Sequence, residues 1–301
     1  MGVSKFKRVI VSPHLLLSLT SLIWAGNFIV GRALRNDISA IELNLWRWLL
    51  ALLLLLPLGY RQILQHRRLM IRHWRLLGML GFTGIAAFHT SVYTALKTTT
   101  AVNAVLFLSL SPVLIVLGSS LSRKDTISRL QLLGILVSLT GAVVLVAHGD
   151  MNTLTRLQFF QGDLWMLFAV TMWSAYSILL KNKPRELPQL SLLIGSIVWA
   201  LGMLGVMFIV FQGGVSTAVW SMQVFTGLLY VSIFASIVAF LFWNRGVAQI
   251  GPNKAGVFLH LMPVFGALLS VMLLKEGIAI YHLAGAALVF LGIAMSTRLA
   301  K

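Results

Sequence analysis

The sequence contains no cysteine, few charged residues and only seven acids. Without cysteine, disulfide bonds, thiolate metal sites and cysteine nucleophiles are all excluded. Charged residues make up 10% of the 301 residues, whereas an ordinary soluble domain carries roughly 25%. The chain therefore lacks the charge that a water-exposed surface needs.

Several classes of function lack their usual signature as well. No P-loop motif occurs, so the chain does not hydrolyse ATP itself. A membrane-embedded enzyme would need His and carboxylate side chains gathered in one plane, and the acids fall mostly in predicted loops. The net charge of +17 is spread over short loops, so nucleic acid is not an expected partner. We expect no cofactor and no metal.

Hydrophobic residues, in contrast, make up 58% of the sequence, and the mean hydropathy is +0.92. Apolar runs of about 20 residues recur, and each would cross a hydrocarbon core of about 30 Å as a helix. We predict an all-α polytopic membrane protein of ten transmembrane helices. The predicted spans 1 to 10 cover residues 15–34, 38–58, 74–95, 101–121, 127–147, 162–181, 190–211, 222–243, 254–274 and 280–298.

The distribution of positive charge predicts the orientation of these spans. With both termini in the cytoplasm, most of the 24 Lys and Arg residues lie on the cytoplasmic side, as the positive-inside rule requires. The cluster Lys5/Lys7/Arg8 predicts that span 1 stays in place uncleaved. The arginine-rich loop 61–75 and the stretch Lys181–Arg185 are interpreted as topology determinants, with lipid headgroups as a secondary partner.

A long segment of the chain occurs twice. Residues 95–141 align with residues 246–292 at a constant offset of 151, and 13 of the 47 positions are identical. Five spans separate the copies, so the second copy must be inverted in the membrane, as in many secondary transporters. We predict two inverted five-helix repeats, 1–150 and 151–301, around a central cavity in a single membrane domain. A weaker similarity pairs Trp24 of span 1 with Trp173 of span 6.

These residues resemble the EamA-type members of the drug/metabolite transporter superfamily. The resemblance covers nearly the whole chain, and its motifs specify fold and class better than substrate. One departure is Arg123-Lys124-Asp125, where the family usually has Gly-Glu-Arg. The motifs that carry the resemblance are Leu45–Ala51, Ser111-Pro112-Val113, Gly134, Gly141, Asn253-Lys254-Ala255, Leu261–Phe265, Leu274-Lys275-Glu276, Gly285 and Gly292.

The resemblance implies a secondary transporter of the bacterial inner membrane that exports small amphipathic metabolites, such as amino acids, by alternating access. Coupling to protons, counter-transport and movement down the substrate gradient remain open. The alternatives are a multidrug exporter, a translocase of lipid-linked substrates or a membrane-embedded enzyme. The expected partners are a small-molecule substrate and membrane lipid.

Two prolines and one arginine are the strongest individual candidates. Pro112 and Pro263 occupy equivalent positions in apolar spans, where proline removes a helical hydrogen bond. We interpret them as kinks of cavity-lining helices, with simple packing kinks as the alternative. Arg47 lies within span 2, where a charge costs at least about 2.5–3.5 kcal/mol without a partner. It is interpreted either as a substrate-carboxylate or gating site, or as a structural arginine bonded to helix-end carbonyls.

In the family, spans 1, 3, 4, 6, 8 and 9 surround the cavity, and their polar and aromatic residues are the predicted pocket. Helix packing is the alternative for the histidines, and an interfacial aromatic belt is the alternative for the residues near helix ends. The predicted cavity residues are Trp24, Asn27, Arg47, His89, Tyr93, Asn103, Phe107, Trp173, Tyr176, Phe240, Trp243, Asn244, Phe258 and His260.

Spans 5 and 10 carry small residues and almost no polar ones. Small residues let helices approach closely in lipid. We predict that these two spans form a scaffold, or the contact of a homodimer, and make no substrate contacts.

Overall fold

The computed structural model of the protein describes residues 12–120, 127–150, 152–153, 158–274 and 279–299. Over these ranges the chain forms helices joined by short turns, and no β-strand occurs in them. Nine helical stretches there are long and apolar enough to cross a membrane. One of them, Met222–Leu269, has 48 residues and is interrupted at Gly251, where φ is +78° and ψ is 160°. At 1.5 Å per residue it would span about 72 Å, so it holds both predicted spans 8 and 9.

The first half of the chain contains spans 1 to 5, with a short turn between most neighbours. Their helices are Pro13–Ala33 for span 1, Ala40–Arg72 for span 2, Trp74–Gly81, Phe82–Ala87 and Phe88–Thr98 for span 3, Ala101–Leu108 and Ser111–Ser120 for span 4, and Arg129–Val146 for span 5.

The second half repeats this arrangement in spans 6 to 10. Their helices are Gln161–Leu179 and Leu180–Asn182 for span 6, Gln189–Gln212 for span 7, Met222–Tyr230, Val231–Val238 and Ala239–Gly256 for span 8, Val257–His260 and Leu261–Leu274 for span 9, and Ile280–Ala294 and Met295–Leu299 for span 10.

Hydroxyl side chains start four of the helices. Ser39, Thr100, Ser128 and Ser221 each occupy the N-cap position and accept a hydrogen bond from the backbone N–H three residues later. This bond satisfies one of the donors that the first turn of a helix leaves free. Short polar residues between apolar runs therefore position the helix starts, and with them the depth of each span.

Span 2 is longer than predicted. The prediction ended it at residue 58 and treated residues 61–75 as a loop, whereas the helix continues to Arg72 and breaks only at His73. Hydropathy falls where the arginines begin, but arginine, leucine and glutamine are good helix formers. The predicted loop is therefore mostly a helical extension of the span.

Spans 3 and 8 each contain a stretch of π-helix. In span 3 it covers Phe82–Ala87, and in span 8 it covers Val231–Val238. At the offset of 151 that relates the two copies, Phe82–Ala87 corresponds to residues 233–238. The wide turn is thus a shared feature of the two repeats, and π-helical turns are frequent at functional sites.

Spans 4 and 9, which contain Pro112 and Pro263, are interrupted where they meet. Span 4 breaks between Leu108 and Ser111, and span 9 begins with the tight turn Val257–His260 before Pro263. At the break, His260 Nε2 donates to the backbone oxygen of Ser109 at 2.9 Å. Ser109 and His260 are equivalent positions of the repeat. Their contact brings the corresponding points of the two halves together.

Spans 5 and 10 pack tightly on each other through glycines. A β-carbon built at Gly134 would lie 2.6 Å from the backbone oxygen of Gly292, and one at Gly141 would lie 2.6 Å from that of Gly285. In the repeat, Gly134 is equivalent to Gly285 and Gly141 is equivalent to Gly292. Exchanging each glycine for its equivalent turns the contact Gly134–Gly292 into the contact Gly141–Gly285. Reciprocal contacts of this kind require antiparallel helices related by a two-fold operation. The scaffold contact and the inverted relation of these spans are confirmed.

Some predicted features are not covered. The cluster Lys5/Lys7/Arg8, the departure Arg123-Lys124-Asp125 and the pair Lys275-Glu276 lie outside the described residues. The homodimer contact through spans 5 and 10 stays a prediction. Since their glycine faces are used inside the chain, a partner would have to meet the outward leucines, such as Leu132, Leu136 or Leu283.

Candidate functional site

A fully buried arginine joins four spans at the middle of the bundle. Arg47 of span 2 donates from Nε to Ser236 Oγ of span 8 at 2.8 Å. From Nη1 it donates to Asn27 Oδ1 of span 1 at 3.2 Å and to Tyr93 OH of span 3 at 2.5 Å. We call Asn27, Arg47, Tyr93 and Ser236 the arginine cluster. Its bonds go to side chains, not to the helix-end carbonyls that the structural interpretation of Arg47 required.

The arginine cluster holds its charge without an acid. Glu42 lies on the same helix, but it accepts hydrogen bonds from Ser216 Oγ and, at 3.2 Å, from Thr217 N in the turn after span 7. Arg47 instead lies 5.4 Å from the ring centroid of Trp48, in cation–π range. One of its nitrogens, Nη2, is buried without a hydrogen-bond partner. The cluster therefore keeps a donor that an anionic group could use.

The wide turns of spans 3 and 8 receive the polar side chains of span 2. Asn44 donates to the backbone oxygen of Ile85 at 3.1 Å and to Thr90 Oγ1 at 3.0 Å. Ser236, which binds Arg47, also donates to the oxygen of Val231 five residues earlier at 2.8 Å. The π-helical stretches thus expose backbone and hydroxyl groups to span 2 that an α-helix would use internally.

A closed set of aromatic rings fills the bundle beside the arginine cluster. Trp24 and Trp173 lie 4.8 Å apart in an edge-to-face arrangement, and Phe240 and Trp243 lie within 6 Å of both. Tyr176 stacks on Trp173 at 5.1 Å. We call these five residues the aromatic cluster. All five are buried, so the matching tryptophans of spans 1 and 6 meet inside it.

Two amides tie helix ends around these clusters. Tyr176 OH donates to Asn244 Oδ1 at 2.7 Å. At the opposite end, Asn103 Nδ2 donates to Asp163 Oδ2 at 2.8 Å, and Thr99 Oγ1 donates to the other oxygen of the same carboxylate. Asp163 is fully buried, as is Glu42, and it was not among the predicted site residues. Its position in the first turn of span 6 was the available signal.

The remaining predicted residues are packed. His260 Nδ1 lies 2.7 Å from Ser138 Oγ, which joins span 9 to span 5. His89 makes ring contacts with Phe88 at 4.8 Å and Trp48 at 5.8 Å, and its Nδ1 is buried without a partner. Phe258 is buried and its carbonyl accepts from Ser21, while Phe107 is half-buried against the core. Both histidines therefore make packing contacts, and their role in substrate binding stays a prediction.

A cavity of about 410 Å³ opens on the side that the charge pattern predicts to be external. Its walls are apolar, and its rim carries Arg32, His148 and His282. Arg32 Nη1 is fixed there by the backbone oxygens of Leu96, at 2.9 Å, and Thr99, at 2.8 Å. The other lining residues are Ala25, Phe28, Ile29, Leu96, Val105, Leu145, Val146, Met262, Pro263, Gly266, Ala267 and Tyr281.

This cavity differs from the predicted pocket. None of the fourteen predicted cavity residues lines it. Eight of them belong to the arginine and aromatic clusters, the other six pack elsewhere in the bundle, and the contact of all fourteen with substrate stays a prediction. Pro263 does line it, whereas Pro112 is buried and lies near Gly256. Spans 5 and 10 contribute Leu145, Val146, Tyr281 and His282 to the walls. These spans thus help to form the cavity, while the expectation that they make no substrate contacts stays a prediction.

The chemistry of the site is that of binding. In the described part of the chain, no group of three or more His, Cys, Asp or Glu side chains could hold a metal ion. The cavity offers apolar area, a guanidinium and two imidazoles, which can hold an amphipathic molecule with a polar or negative end. The class defined by this fold and site is an integral membrane protein built for small-molecule binding between inverted repeats.

Comparison with known proteins identifies the family. The model of the EamA-like transporter family matches residues 11–147 and 160–298, so the chain belongs to this family. An uncharacterized transporter of Archaeoglobus fulgidus is 26% identical over 292 residues, which cover 94% of this chain and 96% of that protein. The uncharacterized transporter YyaM of Bacillus subtilis is 27% identical over 215 residues, or 71% of this chain and 70% of that protein.

A solved structure shares the fold. A protein of known crystal structure matches 96% of this chain and 97% of its own length with a TM-score of 0.77 at 22% identity. The chain is accordingly a multi-pass membrane transporter, and the family and the names of its relatives point away from an enzyme.

Proposed function

We propose that the protein is a secondary transporter of the bacterial inner membrane that exports small amphipathic metabolites, such as amino acids, by alternating access. The cavity would be the outward-facing part of the substrate path. The observation that carries this proposal is its composition: apolar walls from both repeats, with Arg32, His148 and His282 at the rim. Its volume of about 410 Å³ lies within the usual range for small-molecule sites, about 300–1,000 Å³.

The arrangement below the cavity supports alternating access. The cavity is lined by Ala25 and Met262. Trp24, which directly precedes Ala25 in span 1, belongs to the aromatic cluster. Further from the cavity, Tyr176 OH donates to Asn244 Oδ1, and Ser119 Oγ donates to Asn253 Oδ1, which joins span 4 to the last turns of span 8. These contacts close one side of the bundle while the other is open, so transport would require them to part as the cavity closes.

A counterflow experiment tests the function. The purified protein is reconstituted in liposomes, preloaded with unlabelled solute, and exposed to labelled amino acids, amines and dyes in turn. Transient accumulation of at least one amphipathic solute is expected. Amine and dye transport without amino-acid transport would favour the multidrug alternative. Turnover of lipid without movement of any solute would contradict the proposal and favour an enzyme.

The cavity itself can be tested with Gly266→Leu. A β-carbon at Gly266 meets no atom within 4 Å because the residue faces the open cavity. The added side chain should overlap bound substrate at a cost of about 1–3 kcal/mol, which weakens binding by roughly 5- to 150-fold. We expect counterflow to fall by that factor while the amount of folded protein is unchanged.

Gly202→Leu is the matched control. Gly202 is also a helical glycine with no atom within 4 Å of a built β-carbon, but it lies on the exposed surface of span 7. Its counterflow should equal that of the unaltered protein. Equal activity of the Gly266→Leu variant at limiting substrate would exclude this cavity from the transport path.

A further inference from the structure

The helical extension of span 2 has features that transport does not require. Beyond Leu58 the helix continues for 14 residues to Arg72, or about 21 Å. Four of these residues are arginines, and Arg61, Arg67, Arg68 and Arg72 are all exposed. We call residues 59–72 the arginine helix.

Contacts with span 7 fix where the arginine helix lies. A β-carbon built at Gly59 would meet Ile194, while one built at Gly195 would lie 2.9 Å from Cε of Met70. Met70 comes eleven residues after Gly59. If this helix ran antiparallel to span 7, Met70 would lie beyond Gln189, where span 7 begins, and not beside Gly195. The arginine helix therefore crosses the end of span 7 instead of running away from the bundle. Pro57 lies inside the helix two residues before Gly59, and proline is a common cause of a bend.

The arginine helix presents three faces. At 100° per residue, Arg61, Gln65, Arg68 and Arg72 fall within 60° of one another. Ile63 and Met70 lie on the opposite face and pack against the core. Between these faces is an apolar stripe of Tyr60, Leu64 and Ile71, with exposed fractions of 53%, 56% and 71%. An apolar stripe beside a basic one is the pattern of a helix at a membrane surface.

Acidic partners for these arginines are scarce. By the order of the spans, Asp125 and Glu186 are the two acids expected on the same side of the membrane, and Asp125 lies outside the described residues. Glu186 lies near Lys183: desolvation lowers the pKa of that lysine, and Glu186 opposes the effect. Among the described residues, then, Glu186 is the one acid expected on this side, and four exposed arginines exceed it, so the arginine helix carries charge for a partner outside the chain.

We propose that the arginine helix binds the headgroups of anionic phospholipids in the cytoplasmic leaflet. Arg61, Arg68 and Arg72 would meet the phosphates, which the planar guanidinium can bind through two parallel hydrogen bonds. Tyr60, Leu64 and Ile71 would enter the acyl region beside them. The anionic surface of that leaflet attracts clustered basic residues next to a transmembrane helix. This site is separate from the transport cavity and does not depend on the proposed function.

The proposal is tested by measuring which lipids remain bound to the extracted protein. The full-length protein is reconstituted in an equimolar mixture of phosphatidylglycerol and phosphatidylcholine, extracted in detergent, and analysed for the lipids that remain bound. Phosphatidylglycerol should be enriched over phosphatidylcholine. In Arg68→Gln/Arg72→Gln the enrichment should fall roughly tenfold or more, the size expected for two phosphate contacts. Arg68→Lys/Arg72→Lys keeps the charge and should restore most of it.

Controls separate the site from general charge and from free phosphate. Lys97→Gln/Arg129→Gln removes two exposed charges outside both predicted lipid-headgroup stretches, and this variant should retain full enrichment. Addition of inorganic phosphate to the unaltered protein should leave the enrichment unchanged as well. Equal enrichment in Arg68→Gln/Arg72→Gln and the unaltered protein, or an equal loss in the control variant, would overturn the proposal. If the Arg68→Gln/Arg72→Gln variant does not accumulate, the unaltered protein is extracted at increasing salt concentrations. The enrichment of phosphatidylglycerol should fall as salt rises. A constant enrichment would overturn the proposed lipid site.

Discussion

Gly141→Val is expected to remove about 3 kcal/mol from the free energy of unfolding, the upper end of the usual cost of overpacking. A β-carbon at Gly141 would lie 2.6 Å from the backbone oxygen of Gly285 and 2.8 Å from the backbone nitrogen of Val289. Both obstacles are backbone atoms, so no rotamer change can relieve the overlap and spans 5 and 10 must separate. The folded fraction after extraction, followed by size-exclusion fluorescence and by unfolding in mixed micelles, measures the effect.

The control for this variant is Gly202→Val, since a β-carbon there meets nothing within 4 Å. It should differ from the unaltered protein by less than about 1 kcal/mol, the ordinary helix-propensity difference between glycine and valine. If Gly141→Val unfolds at the same point as Gly202→Val, the close approach of spans 5 and 10 is not a principal source of stability.

Arg47→Ala is expected to lower the free energy of unfolding by about 3–5 kcal/mol, as for other large side chains removed from a core. The change removes bonds to Asn27, Tyr93 and Ser236 and leaves space between spans 1, 2, 3 and 8. Arg47→Met fills most of that space without a charge. Because burying a charge is itself costly, we expect it to recover much of the stability.

Transport separates the two interpretations of Arg47. If the arginine acts only by packing, Arg47→Met should transport as well as the unaltered protein. If its free Nη2 meets an anionic group of the substrate during the cycle, the methionine variant should be stable but inactive. Arg67→Ala, an exposed arginine on the same helix, is the control and should change neither measurement.

Much of the fold follows from local features of the sequence. Apolar runs about 20 residues long specify membrane helices because the hydrocarbon core has a fixed thickness. The 151-residue repeat predicts the inverted relation of the halves, and Gly134, Gly141, Gly285 and Gly292 meet reciprocally as that relation requires. The extension of span 2 to Arg72 was missed because hydropathy detects the membrane boundary, whereas helix formation depends on backbone propensity.

The candidate site was less accessible to sequence reasoning. Polar and aromatic residues such as Trp173 and Arg47 are conspicuous within apolar spans, but they pack against other side chains in buried clusters. The cavity is instead bounded by ordinary residues, including Gly266 and Val146, with Arg32 and His282 at the rim. Such residues carry no signal in the sequence, because a cavity is defined by where side chains fail to meet.

The sequence by itself determined the class of protein, the long apolar helices and the pairing of equivalent positions in the two repeats. Each of these depends on hydrophobicity, charge and periodicity, which act along the chain. Only the tertiary structure decided that the aromatic cluster is closed, that Arg47 is bound by neutral side chains and that spans 5 and 10 help to form the cavity. Those outcomes depend on how apolar helices of similar composition pack, and packing is set by contacts between residues far apart in the chain.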